Sequence, residues 1–177
     1  EECHITFIGP KAQTIAKAGD KDSARKTMQA AGVPVIPGCD AVADLKEARE
    51  QAKKIGFPLL MKARAGGGGR GIRLVKSMEE VDNAYLSASR EAMNAFGDGG
   101  IYMEKYLYPA KHIEMQILCD NFGAAVCLGE RECSIQRKNQ KLIEECPSSS
   151  LDKKCREKMM RAAVKAAKAV QYRNAGT

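Results

Sequence analysis

A run of glycines and the lysines near it are the residues in this 177-residue chain whose types and spacing could do chemistry. Residues 58–75 read PLLMKARAGGGGRGIRLV. Gly66, Gly67, Gly68 and Gly69 lie between two apolar runs, with Lys62 before them and Arg70 after. Glycine loses more backbone entropy on ordering than any other residue, so four in a row ask for a use. A glycine loop between two strands can bring backbone N–H groups against phosphate oxygens, because no Cβ blocks the approach. Lys62 at the end of the first strand adds a point charge suited to phosphate. Other phosphate loops fit less well. No G-x-x-x-x-G-K-[ST] is present. Gly66 to Gly71 spells G-x-G-x-x-G, but a dinucleotide fingerprint must open a helix, and IRLVKS is strand-like. The kinase glycine loop does lie between strands, yet neither H-R-D nor D-F-G follows. The plain alternative is a flexible surface hairpin with a basic rim. A second lysine points toward phosphate. Lys21 stands in the first turn of an expected helix, where the dipole disfavours a cation by about 0.3–1 kcal/mol. Asp20 and Asp22 can offset that cost, or Lys21 and the helix N-terminus can share an anion.

Several elements must position these groups. HITFIGP reads as a short strand ending in a Gly-Pro turn. GDKDSARKTMQAAGVP reads as a helix capped by Asp20, with Ala24, Met28 and Ala31 on one face and Gly32 closing it. VPVIPGCDA is extended. DLKEAREQAKKIGFP is a helix with capping-box spacing at Asp44 and Glu47 and a stripe of Leu45, Ala48, Ala52 and Ile55. The strand LLMKA leads into the glycines and GIRLV leads out. SMEEVDNAYLSASREAMNAFG is a helix with a second box at Ser77 and Glu80. Val81, Ala84, Tyr85, Ala88, Ala92 and Phe96 are expected to face inward. IYMEKYL, HIEMQILC, AAVCLGERE and NQKLIEEC read as strands, the middle two joined by the turn DNFG. LDKKCREKMMRAAVKAAKAVQY is a closing helix capped by Ser150, with Asp152 in its first turn. The order predicts an α+β fold rather than βαβ repeats.

Composition bounds the rest. At 44% hydrophobic and 29% charged the chain reads as an ordinary globular protein, and its apolar runs are far short of a membrane span. EECHITFIGP has no basic n-region or long apolar core, so a cytoplasmic location is expected. The net charge of +7 suits phosphate ligands. Nucleic acid is not expected, since the cations are scattered and only five tyrosines and four phenylalanines, with no tryptophan, are available for stacking. The seven cysteines show no C-x-x-C spacing, and their odd number argues for reduced thiols. Two histidines, His4 and His112, make a zinc site improbable. A first residue that is not methionine, and YRNAGT ending the chain straight after a helical pattern, suggest a piece of a longer protein.

GDKDSARKTMQAAGVPVIPG, MKARAGGGGRGIRLV, YMEKYL, KHIEMQIL, GERECSIQRKNQKLIEECPS and YRNAGT together resemble the ATP-grasp core of biotin carboxylase. That enzyme is the ATP-dependent component of acetyl-CoA carboxylase, which serves fatty acid biosynthesis, and of related carboxylases. The resemblance runs in order along nearly the whole chain. It implies an ATP-grasp fragment: residues 1–32 the tail of an N-terminal domain, 33–106 a lid subdomain, and 107–177 the first part of the C-terminal platform sheet. It implies an ATP-dependent ligase that activates bicarbonate as carboxyphosphate and passes the carboxyl group to N1 of carrier-bound biotin.

By resemblance Lys21 and Lys62 contact ATP phosphates, with Lys62 also near the adenine. Gly68 and Gly69 lie in the lid loop. Glu104, Lys105, Tyr106 and Leu107 form the hinge that bonds adenine. His112, Gln136 and Asn139 are nucleotide-site positions, although some family members carry histidine at 139. Lys141 matches a lysine near bicarbonate and the γ-phosphate, with Glu114 beside it. Cys133 is close by, where a small buried thiol is expected to have no chemical role. Mg²⁺ or Mn²⁺ is the implied metal, and its acidic ligands would follow Thr177. The implied partners are a biotin carboxyl carrier protein, a carboxyltransferase and a second copy of the full-length chain, with no membrane. A piece lacking the metal strands is expected not to complete the reaction alone. Alternatives are the same module of pyruvate or propionyl-CoA carboxylase, a carbamoyl-phosphate-synthetase-like ATP-grasp, or a non-catalytic nucleotide-binding module.

Overall fold

The computed structural model describes residues 7–19, 21–64, 72–138 and 140–177, with the side chains of Lys17, Lys21 and Asp22 outside the description. In chain order the elements are α1 (Ala12–Gly19), α2 (Lys21–Ala30), β1 (Gly38–Val42), α3 (Leu45–Ile55), β2 (Leu59–Ala63), β3 (Ile72–Val75), α4 (Val81–Phe96), β4 (Ile101–Lys105), β5 (Ile113–Cys119), β6 (Ala125–Arg137), β7 (Gln140–Glu145), α5 (Lys153–Ala169) and β8 (Asn174–Gly176). A short 3-10 turn, Met78–Glu80, leads into α4. The chain divides into two compact units. One is Ile36–Tyr108, and the other joins Glu1–Val35 to Pro109–Thr177.

In the Ile36–Tyr108 unit an antiparallel sheet of order β1-β4-β2-β3 carries its core under α3 and α4. Along β2, Leu59, Met61 and Ala63 are buried, and along β4 so are Ile101 and Met103, as strict alternation requires. Ala48, Ala52, Ala88 and Ala92 face them from the helices, and their small side chains let the layers approach. β1 runs so close to β4 that a Cβ on Gly38 would collide with the Met103 carbonyl. The Asp44 half of the expected box on α3 is present, while Glu47 reaches one residue further back than the cap. The Asp44 carboxylate accepts from the Glu47 N–H at 2.8 Å, and Glu47 accepts from the Ala43 N–H at 2.8 Å. The Ser77–Glu80 box is absent: Ser77 gives α4 no side-chain cap, and Glu80 accepts instead from the Lys76 N–H at 2.8 Å. Phe96, expected inside, is 42% exposed, because α4 ends at Gly97 beyond the edge of the core.

The second unit holds an antiparallel sheet of order β7-β6-β5-β8 with α5 on one face. Ile117, Cys119 and Ala167 form its small apolar centre. Asp152, not Ser150, caps α5, accepting from the Cys155 N–H at 2.6 Å. The Ser150 hydroxyl is drawn away to Glu132 at 2.7 Å. Three elements depart from expectation. Of the expected strand HITFIGP, residues 7–10 form none, and residues 4–6 lie outside the described residues. An additional helix, α1, is tied to the end of α5 by the Thr14 hydroxyl donating to the Val170 carbonyl at 3.1 Å. The last residues form β8, an edge strand on β5. No helix among the described residues is long and apolar enough to cross a membrane.

Candidate functional site

In the Ile36–Tyr108 unit Lys62 and Glu104 meet. Lys62 lies opposite Tyr102 and Glu104 opposite Leu60, so the two are diagonal neighbours on the sheet face turned away from α3 and α4. Their side chains form an ion pair, each 21% exposed. Lys105 alternates to the helix side, where its Nζ donates to the Phe57 carbonyl at 2.7 Å. The backbone N–H groups of Lys105 and Tyr106 donate to the carbonyls of Pro37 and Pro58. The Tyr106 ring stacks on Tyr108, and Leu107 is half exposed. Lys21 opens α2, at the N-terminal turn where an anion is favoured. Gly68, Gly69 and Asn139 lie outside the described residues.

In the other unit the remaining candidates converge on one carboxylate. Glu114 on β5 points away from α5. One of its oxygens holds Lys141 from β7 and lies 3.1 Å from His112 Nε2, while the other accepts from Arg131 Nη2 of β6 at 3.3 Å. The Gln136 amide nitrogen approaches His112 Nδ1 at 2.8 Å. The Gln136 amide thereby orients the imidazole, whose Nε2 faces Glu114. The second N–H of that amide goes to the Cys133 carbonyl at 2.7 Å. The Lys141 ammonium, with Arg131 and His112 adding, holds the Glu114 carboxyl below the usual range, and Glu114 in turn raises Lys141. Cys133 is buried there, and burial pushes its thiol pKa up, which disfavours the reactive thiolate.

Arg131 is the residue that sequence reasoning missed. It holds Gln116 Oε1 at 2.8 Å and the Thr177 hydroxyl at 2.9 Å as well as Glu114. Its register partner across the hairpin is Glu114 itself. The usable signal was that pairing of opposite charges. It was obscured because β6 bulges: Gln116 pairs with Gly129 and Ile117 with Cys127, leaving Leu128 extra. Gly129 takes φ +121° there. The bulge reverses the alternation, so Cys127 faces α5, and so do Glu130 and Glu132, while Arg131 turns to the other face.

Glu130 and Glu132 are buried at 2% and 8% exposure. Arg156 and the Ser148 N–H hold Glu130, while the Ser148 and Ser150 hydroxyls and Lys111 hold Glu132. Ser148 and Ser150, then Lys111, bring the Glu132 carboxyl down from 4.5 to about 2. With a depressed folded pKa, the unfolded chain takes up the proton first as pH falls. The stability from Glu132 is therefore full above about pH 4.5 and is lost as pH drops toward 2. In thermal melts, Glu132→Gln should lie below wild type at pH 7, with the two curves converging as pH falls through that window. A constant offset down to pH 3 would overturn the assignment.

No group of three or more His, Cys, Asp or Glu side chains among the described residues could hold a metal ion. Among the described residues, then, none forms a set that fits Mg²⁺ or Mn²⁺, whereas Lys62 in one unit, and Lys141 with Arg131 in the other, are cations suited to the oxygens of an anion.

Residues 20–177 match the family described as carbamoyl-phosphate synthase L chain, ATP binding domain, and the chain belongs to it. Within that family the chain resembles biotin carboxylases. It is 54% identical over 175 residues to the biotin carboxylase of Nostoc sp., covering 98% of this chain and 39% of that protein's length. It superimposes with TM-score 0.88 and 50% identity on a Campylobacter jejuni biotin carboxylase–β,γ-ATP complex, covering 98% of this chain and 39% of that one. The biotin carboxylase domain dimer of Hydrogenobacter thermophilus 2-oxoglutarate carboxylase, solved with MgADP, ADP and bicarbonate, gives TM-score 0.86 and 48% identity over the same shares. The fold is therefore that of ATP-grasp biotin carboxylases, spanning about 39% of their length.

Proposed function

We propose that this chain carries the nucleotide-binding part of a biotin carboxylase. ATP phosphorylates bicarbonate to carboxyphosphate with release of ADP, and the carboxyl group passes to N1 of carrier-bound biotin with release of phosphate. The observation that carries this reading is the sharing of Glu114 by Lys141, Arg131 and His112 on the open face of one sheet. A phosphate or bicarbonate oxygen can compete with Glu114 for Lys141. Glu114 then keeps Arg131 and His112, so its own charge stays compensated when the lysine turns to the incoming anion. A lysine bound permanently by a lone carboxylate could not do this without stranding that charge.

The Ile36–Tyr108 unit is the lid in this reading. Its glycine run covers the phosphates, Lys62 contacts them, and Glu104 through Leu107 take the adenine. Lys21 and the α2 N-terminus share an anion, Gln136 orients His112, and Asn139 lies beside the nucleotide. Acetyl-CoA, through a carboxyltransferase and a biotin carrier protein, is the preferred acceptor system. The Hydrogenobacter relative carries 2-oxoglutarate in its name, so the final acceptor is the point that a biotin-carrier motif A-M-K-M elsewhere in the gene product would resolve. A reducing cytoplasmic compartment suits the six free thiols among the described residues.

Calorimetric titration with ATP, ADP and adenosine tests the reading. ATP should bind, and adenosine should bind on the order of tenfold or more weakly, since phosphate contacts are charge-assisted. Equal affinity for ATP and adenosine, or no binding of ATP, would overturn it.

A further inference from the structure

The outward face of α5 is cationic in a way the nucleotide reading leaves unused. Lys154, Lys158, Arg161, Lys165 and Lys168 are all exposed. On a helix of 3.6 residues per turn they fall within an arc of about 80° and along about 21 Å. Like charges three and four residues apart repel, and surface helices ordinarily interleave carboxylates at that spacing. Here only Glu157 does so among the described residues, 3.8 Å from Arg161. The stripe ends at a cavity of about 490 Å³ beside the last turn of α5 and the β5–β6 turn. Lys11, Lys168 and Arg173 stand around it, with Ala167 and Tyr172 supplying apolar wall. At its mouth Phe122 is 95% exposed. Asp120 also lines the cavity, its Oδ1 accepting from the Phe122 and Ala124 N–H groups of its own turn, both at 2.8 Å, so one carboxylate stands against the three cations there.

We infer that the α5 stripe and its terminal cavity form a docking surface for an acidic protein segment bearing one large apolar residue. Carboxylates along the segment lie over the five cations, and the apolar residue enters the cavity against Phe122 and Tyr172. Charge complementarity selects a polyanion, and the anchor cavity selects a peptide among polyanions. Single-stranded nucleic acid uses aromatic stacking platforms along its track, and this stripe carries none. Membrane insertion needs an apolar flank, but the apolar side of α5, with Ala163, Val164 and Ala167, is packed on the sheet. The Glu114 cluster is on the opposite face of that sheet, so this surface stands independently of the nucleotide reading.

Fluorescence anisotropy of labelled probes against the chain tests the inference. The probes are a Glu/Asp peptide long enough to span the stripe with one Phe at the end that meets the cavity, the same peptide with Ser in its place, and a DNA oligonucleotide of equal charge. The Phe peptide should bind most tightly and weaken steeply with added salt, since the charges are exposed. A triple variant, Lys158→Gln, Arg161→Gln and Lys165→Gln, should weaken it about tenfold or more by removing three contacts. Phe122→Ser should weaken the Phe peptide several-fold and leave the Ser peptide unchanged. All four positions are exposed, and circular dichroism confirms that each variant is folded; the single Arg161→Gln variant provides a milder test in the same direction. Equal binding of the two peptides, tighter binding of the DNA, or indifference to the charge variants would overturn the inference.

Discussion

Lys141→Ala will weaken ATP binding by roughly ten- to a hundredfold while leaving the melting temperature nearly unchanged. In the proposed reading the affinity loss follows from removing a charge-assisted hydrogen bond to phosphate. The stability is spared because Glu114 retains Arg131 and His112 when Lys141 is gone. Lys62→Ala should cost a comparable factor, with Glu104 left only partly exposed as its former partner. Glu114→Gln is the informative companion. It removes the competitor for Lys141 while keeping a side-chain oxygen for Arg131, so affinity should match or exceed wild type. Because Glu114 raises the Lys141 pKa above its ordinary value, the lysine stays charged through neutral pH, and ATP affinity should show no loss there from its deprotonation. Isothermal titration of the three variants decides the matter. Unchanged affinity for Lys141→Ala would remove that lysine from the phosphate site, and equal losses for Lys141→Ala and Glu114→Gln would show that the cluster acts only as scaffold.

Met103→Ala will be the most destabilising single substitution of those considered, at about 2–5 kcal/mol. Met103 is fully buried at the centre of the Ile36–Tyr108 unit, opposite Cys39 on β1 and Met61 on β2. The helices that cover it present Ala48, Ala52, Ala88 and Ala92. These side chains cannot extend to refill the space, so the cavity persists and its cost adds to the lost transfer energy. For a unit of this size the melting temperature should fall by on the order of 10 °C or more. Leu74→Ala, on edge strand β3 and 42% exposed, should cost far less. Thermal melts of both variants would check this, and a Met103→Ala loss no larger than that of Leu74→Ala would contradict the packing described.

Local pattern carried much of this protein. The α+β class, the capping of α3 by Asp44, and the alternation that buries Met61 and turns Lys62 outward are decided by neighbours a few residues apart, and those are visible in a linear string. The family motifs likewise lie in short contiguous stretches.

Competition between distant groups was decided only on folding. Ser150 has the chemistry of a helix cap, but Glu132, eighteen residues earlier, takes its hydroxyl, and Asp152 caps α5 instead. β8 is three residues with no strand signature that pair because β5 offers them an edge. Arg131 reaches Glu114 because a bulge at Gly129 reverses which side of β6 faces α5. The pairings of Lys62 with Glu104 and of Lys141 with Glu114 span 42 and 27 residues. Residue types and periodicity set which groups were available. Strand register, fixed by the burial of whole faces at once, set which of them met.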